Sequence, residues 1–262
     1  MNFVGKTLAL DSAGLNAAAA ALNVPPAGIW AVLHVETAGC GFLPDRRPVI
    51  RFERSVFHRL TAGAYDGSHP DISDSIPGNC AADGAAQYTL LNQALALDPR
   101  AALESASWGL GQVLGENCAL AGFSCVESMV AAMIDSEDAH LAAFRSFIQS
   151  ARLARHLQDQ NWAAFAQGYN GKGFRRYAYD ARLAAAYRLF TTGSLPDLDI
   201  RAAQFYLTLR GYSPAGIDGV PGPRTVAALR AFQAGAGLPQ TGQPDSQTRA
   251  ALTPPPPLVP NP

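Results

Sequence analysis

Apolar residues recur along most of this chain at helical rather than strand spacing. Val130, Ile134, Leu141, Phe144 and Ile148 follow one another by three, four or seven positions, which predicts one helical face across 130–148, and Leu153 and Leu157 open a further stretch of the same kind. Upstream, Ala17 to Leu22 reads as helix. Pro25 and Pro26 are placed to start another, whose Ile29, Val32, Leu33 and Glu36 share a face and whose stop is Thr37-Ala38-Gly39. Strand signals are sparse, with one short candidate at Pro48-Val49-Ile50-Arg51-Phe52. Between 63 and 87 the accumulation of Gly, Ser, Asp and Pro predicts a long loop or the edge of a lobe. The expected fold class is mainly α.

The pattern changes at Thr191-Thr192-Gly193-Ser194-Leu195-Pro196, a small-residue, helix-breaking stretch that reads as a linker. Beyond it the chain repeats itself at an offset of 23 residues: Asp218-Gly219-x-Pro221-x-x-x-Thr225-x-x-Ala228-Leu229 returns as Thr241-Gly242-x-Pro244-x-x-x-Thr248-x-x-Ala251-Leu252. Each copy places a Gly-containing turn before a Thr-started helix. With the preceding helix Ile200 to Leu209 they make a compact three-helix unit. The division is therefore 1–193, a linker at 194–196, a unit at 197–253, and a Pro-rich tail at 254–262 expected to be extended or disordered. Few contacts are expected to cross such a linker, so a protein ending near Leu195 is expected to fold by itself.

Composition narrows the classes of function. Of the 262 residues 48% are hydrophobic and 16% charged, and no apolar run approaches the ~20 residues of a membrane span, so a soluble globular protein with no membrane insertion is expected. Twenty Lys and Arg against 21 Asp and Glu leave a net charge of −1, without the field that captures a nucleic acid. The four cysteines, Cys40, Cys80, Cys118 and Cys125, are too few for a disulfide scaffold, and reduced thiols in a cytoplasmically made monomer are expected. No export signal is visible at the N-terminus, so a target outside the cytoplasm requires release by another agent.

Glu36 is the first candidate for chemistry. It lies on the apolar stripe of its helix and at the negative end of the helix dipole, and both features disfavour its charged form. A carboxyl kept protonated near neutral pH is what a general acid requires, whereas in an isolated helix the same Glu is an exposed residue in a fraying turn. Two further segments bear on this choice. Ser105-Ala106-Ser107-Trp108-Gly109-Leu110-Gly111-Gln112 is not a dinucleotide fingerprint, because Gly109-x-Gly111-x-x-x-Gly115 is one residue too long and no β-branched strand precedes it. Ala166-Gln167-Gly168-Tyr169-Asn170-Gly171 reads alone as an ordinary helix stop. His34-Val35-Glu36 lacks the P-C-x-x-C that a zinc deaminase needs, and the five histidines form no metal-ligand pattern, so no metal and no cofactor is implied.

Taken in order, Glu-Thr at a helix end, Trp-Gly-Leu-Gly-Gln and Tyr-Asn-Gly resemble the three successive motifs of soluble lytic transglycosylases and goose-type lysozymes. The resemblance is closer to the phage N-acetylmuramidase family. It is carried by Gly41-Phe42-Leu43-Pro44, Phe52-Glu53-Arg54, Ala106-Ser107-Trp108-Gly109, Gly115-Glu116-Asn117 and Trp162-x-x-Phe165-Ala166-x-x-Tyr169-Asn170-Gly171, over roughly residues 25–190. The chain departs from that pattern at Gly111, where a bulky residue usually precedes the Gln, and at His58, where a His is expected directly after Glu53-Arg54. The repeat unit resembles the peptidoglycan-binding repeat domain of cell-wall hydrolases, through Ile217-Asp218-Gly219, Gly222-Pro223-x-Thr225 and Phe232-Gln233.

These resemblances imply a modular endolysin, a lysozyme-like muramidase that cleaves the β-1,4 bond after N-acetylmuramic acid with Glu36 as general acid. Gln112, Tyr169, Asn170 and Trp108 line the groove on this reading, and Glu53 activates water, with Glu104 and Glu116 as alternatives. Asp218, Tyr212 and Phe232 mark the wall-binding surface. Two alternatives stay open: a lytic transglycosylase that uses the sugar's own hydroxyl, and a non-catalytic wall-binding virion protein.

Overall fold

The computed structural model describes residues 2–78 and 83–253, so Cys80 and the Pro-rich tail lie outside the described residues. Thirteen α-helices and a three-stranded sheet appear among them, in keeping with the mainly α expectation. No single described helix is long and apolar enough to cross a membrane.

Helix α1 (Ser12–Leu22) starts where the Asp11 carboxylate accepts from the Gly14 N–H, and it stops at Asn23 in the left-handed region. Helix α2 (Pro26–Thr37) starts after Pro25, as the two prolines predict. Its Ala27 to Leu33 and Val35 are all buried, so α2 is the central rod of the larger core rather than a surface helix with one apolar stripe. It ends at Ala38 in the left-handed region, where Ala38 N–H donates to the His34 carbonyl at 3.1 Å and Gly39 N–H to that of Leu33 at 3.2 Å.

Strand β1 (Ile50–Phe52) is the one the sequence pattern predicts. It pairs antiparallel with β2 (Ala106–Trp108), which pairs with β3 (Val113–Leu114). Thus the Trp-Gly-Leu-Gly-Gln segment is a hairpin turn, a strand context that its Ala and Ser content concealed. Gly109 adopts φ +69, and a Cβ on Gly111 would lie 2.8 Å from the Phe144 ring, which is why this chain cannot carry a bulky residue there. Trp108 is fully buried, with its indole N–H donated to the Leu103 carbonyl at 3.1 Å. The expectation that it lines a groove is therefore corrected: it packs the core under the hairpin.

Helices α3 (Arg54–Leu60), α4 (Gln87–Leu95) and α5 (Pro99–Glu104) form the lobe beside the sheet, and residues 61–78 run through turns. The single face expected over 130–148 is split into α6 (Val126–Met133) and α7 (Glu137–Ser150), because the Ser136 hydroxyl caps a new helix by accepting from the Ala139 N–H. Helices α8 (Ala154–Gln158), α9 (Trp162–Asn170) and α10 (Tyr179–Thr192) close the core, with α10 lying along α2.

The C-terminal unit is α11 (Leu198–Leu209), α12 (Pro223–Gly235) and α13 (Ser246–Leu252) around Ala203, Leu207, Ala228, Leu229, Phe232 and Leu252. Two buried glutamines hold its repeated turns. Gln204 accepts from Gly219 N–H and donates to the Thr225 hydroxyl, while Gln233 accepts from Gly242 N–H and donates to the Thr248 hydroxyl. Phe232 is buried in this core with Tyr212 edge-on against it, and Asp218 accepts from Gln204 and from the Val220 N–H. Phe232 is thus corrected from wall contact to core, and the Asp218 carboxylate and Tyr212 ring serve this internal framework.

The linker does not separate two bodies that barely touch. Phe205 of α11 packs against Phe42, the Tyr206 hydroxyl accepts from the Ala9 N–H, and Arg201 forms a fully buried ion pair with Glu137 of α7. Removing one member of such a pair costs on the order of 3–5 kcal/mol. The expectation that few contacts cross the linker is overturned, because composition around 191–196 reports local flexibility and says nothing of what α11 packs against.

Candidate active site

Glu36 is the penultimate residue of α2, and it is half-buried, with part of its surface still open to solvent. Burial pushes its carboxyl up from an ordinary value near 4.5 to about 7, against the Asn170 hydrogen bond and the charges of Arg182 and Arg51. Asn170 Nδ2 donates to Glu36 Oε1 at 3.1 Å. Asn170 is the last residue of α9, and Gly171, at φ +76, turns the chain away behind it. The Tyr-Asn-Gly stop therefore delivers a side chain to the acid as well as ending a helix.

Tyr169 does a different job from the groove contact expected of it. Its ring stacks on Phe165 and meets Phe144 and Phe147 edge-on, and its hydroxyl donates to the Gly111 carbonyl. Burial raises its pKa well above the usual phenol range, so it stays a donor at neutral pH. Gln112 sits at φ +50 and donates its amide to the carbonyls of Val49 at 3.1 Å and Gly109 at 2.8 Å, bracing the hairpin against the start of β1. From the other side Thr37 Oγ1 donates to the Leu110 carbonyl at 3.0 Å. Together these bonds lock the hairpin turn to the helix end that bears Glu36.

Glu53 immediately precedes α3, makes no side-chain bond to the helix start, and pairs with Arg51 at 2.9 Å. Burial raises its pKa and the Arg51 charge opposes the rise. Arg51 acts electrostatically on both Glu36 and Glu53, and both carboxylates act on Tyr179, so the two acids share charged and polar neighbours. The alternative carboxylates are engaged elsewhere, Glu104 with Arg100 at 2.8 Å and Glu116 with Arg59. His58 pairs with Asp66 at 2.8 Å.

Sequence reasoning missed two residues that act electrostatically with Glu36, both on α10. Arg182 donates to the Val35 carbonyl at 2.8 Å and lies 5.1 Å over the Tyr179 ring. Their three-residue spacing was a usable signal that the pair shares a helix face. Among the described residues no group of acidic, His or Cys side chains is arranged to hold a metal. Cys40, Cys118 and Cys125 are free thiols, and burial pushes that of Cys40 up to about 12.

The N-acetylmuramidase family model matches residues 25–191, and that of a peptidoglycan-binding domain matches residues 196–252. A crystal structure of a Burkholderia AP3 phage endolysin is similar, with 37% sequence identity and a TM-score of 0.62 over 70% of this chain and 72% of that one. No curated protein matches the chain.

Proposed function

This chain belongs to the N-acetylmuramidase family and is a lysozyme-type, peptidoglycan-hydrolysing glycosidase, and we propose that Glu36 is its general acid and Glu53 its water-activating base. The observation that carries the reading is the buried Glu36 carboxyl, held near neutrality and oriented by Asn170. Protonated, it gives its proton to the glycosidic oxygen as the bond from C1 of N-acetylmuramic acid breaks. Glu53, in the carboxylate form that its Arg51 partner favours, takes a proton from the water whose oxygen bonds to C1, so one acid is consumed and one regenerated. Like its phage neighbour the protein works as an endolysin, released from the cell interior to the wall, where the C-terminal unit holds it on polymeric glycan.

Mass spectrometry of the soluble muropeptides tests the water step. Reducing-end muramic acid is expected; a product lighter by one water, carrying an anhydro ring, rules out Glu53 as the base. Glu53→Gln should lower kcat by at least ~10²-fold while the protein still binds purified sacculi. A stable, fully active Glu53→Gln protein points to single-acid chemistry.

Asn170→Ala gives a signed pH effect. The amide favours the ionised form of Glu36, so losing it should raise the pKa of the acid and move the alkaline limb of the activity profile up by about one pH unit. An unmoved limb would detach Asn170 from the acid.

A further inference from the structure

We propose that Arg201, supplied by the C-terminal peptidoglycan-binding unit, is a positioning residue for the glycosidase, fixing through Glu137 and the Gly39 carbonyl the segment that follows the Glu36 helix. The inference rests on the reading of Glu36 as the acid. Arg201 Nη1 and Nη2 meet Glu137 Oε2 and Oε1 at 2.7 and 2.8 Å, a fork-to-fork pair with neither side chain exposed. Arg201 Nε also donates to the Gly39 carbonyl at 3.1 Å, three residues beyond Glu36. The Glu137 carboxylate in turn accepts from Gly41 N–H and Leu10 N–H, each at 2.8 Å.

The same helix also reaches the hairpin turn. His140, one turn along α7 from Glu137, accepts at Nδ1 from Leu110 N–H at 3.1 Å and donates from Nε2 to the Met133 carbonyl. Leu110 is the residue whose carbonyl takes the Thr37 hydroxyl bond. A closed polar circuit thus runs from Arg201 to Gly39, back along α2 to Thr37, across to Leu110, through His140 to Glu137, and home to Arg201. Every link is a directional hydrogen bond or a short stretch of chain, and the circuit encloses the support of the carboxyl.

A buried ion pair contributes little net stability compared with an apolar pair of similar volume. What the guanidinium adds is direction: its planar donors hold a carbonyl and a carboxylate in one arrangement that no apolar side chain can impose. Misplacing a reacting group by about 1 Å costs on the order of 10²-fold in rate. The C-terminal unit therefore carries part of the active-site scaffold as well as affinity for the wall.

The test uses full-length protein and short soluble glycan strands. In one variant Glu137→Leu is combined with Arg201→Leu, which keeps the interface apolar and filled; in another Arg201→Lys keeps the charge opposite Glu137. Both should fold, with kcat lowered at least ~10-fold and KM within about twofold of the parent, and with Arg201→Lys the less affected. A folded variant with parental kcat, or with its loss confined to KM, overturns the proposal. Amide hydrogen exchange of the unmodified protein decides independently of variant folding. The Leu10 and Gly41 amides should be as protected as the middle of α2, and their free exchange while α2 stays protected would mean that the unit undocks and only tethers. Full activity of these variants beside an inactive Glu36→Gln protein refutes this inference alone, whereas a fully active Glu36→Gln protein refutes the reading beneath it.

Discussion

Glu36→Gln is expected to lower turnover of purified sacculi by at least ~10²-fold, the low end for loss of a general acid, with the fold retained. The substitution is nearly isosteric and can still meet the Asn170 amide, but it has no proton to give. The parent's activity should hold below about pH 7 on this group's account and fall as pH rises through the Glu36 pKa, tenfold per unit once the acid is mostly ionised. Stability supplies the matching control. Because the folded-state pKa is raised to about 7 from an ordinary 4.5, the folded protein keeps a proton that the unfolded chain has lost, so Glu36 makes stability decline as pH climbs between those values. At pH 8 the Glu36→Gln protein should therefore melt at or above the parent's temperature. Near-normal turnover, or a lowered melting point with turnover lost only through unfolding, would remove Glu36 from the chemistry.

Ending the chain after Leu195 should have an effect of comparable size. The linker composition alone predicts a free-standing catalytic part that cuts short soluble strands at an unchanged rate. The structure reverses that expectation. Truncation strips Arg201 from Glu137, exposes Phe42 and Ala9 where Phe205 and Tyr206 covered them, and leaves the Gly39 carbonyl without its donor. Loss of the buried pair's partner, on the order of 3–5 kcal/mol, corresponds to a fall in melting temperature of roughly 6–20 °C for a chain of this size. Activity on soluble strands should drop at least ~10-fold at a temperature where the truncated protein is still folded. Parental melting and parental kcat on soluble strands would restore the simple tether.

Much of the candidate site was legible because its residues are local punctuation as well as candidates for chemistry. Glu36 stands where an apolar helix meets Ala38 and Gly39, and Asn170 where α9 meets Gly171, so helix-stop signals and motif spacing converged on the two groups that bond to each other. Trp108 and Phe232 misled for a related reason. A large aromatic in a motif is recognised equally well by a ligand groove or by a core, and spacing carries no information on which face of the chain is wet. Gln112 and Tyr169 fall between these cases, since their bonds to backbone carbonyls fix the hairpin turn from behind.

By itself the sequence determined the helical class, the position of the helix that bears Glu36 and its stop, the candidate acid, the first strand and the repeated turns of the C-terminal unit. All of these follow from interactions within a few residues of one another: helical period, proline starts, glycine stops and capping hydroxyls. Only the tertiary structure decided the strand at Ala106–Trp108, whose ladder with β1 joins residues more than fifty positions apart, and the pairing of Arg201 with Glu137 across 64 residues of chain. The physical reason is the same in both cases. A strand without branched residues and a charged side chain at full burial are each unfavourable locally, and they become stable only when folding brings the distant partner that satisfies their polar groups.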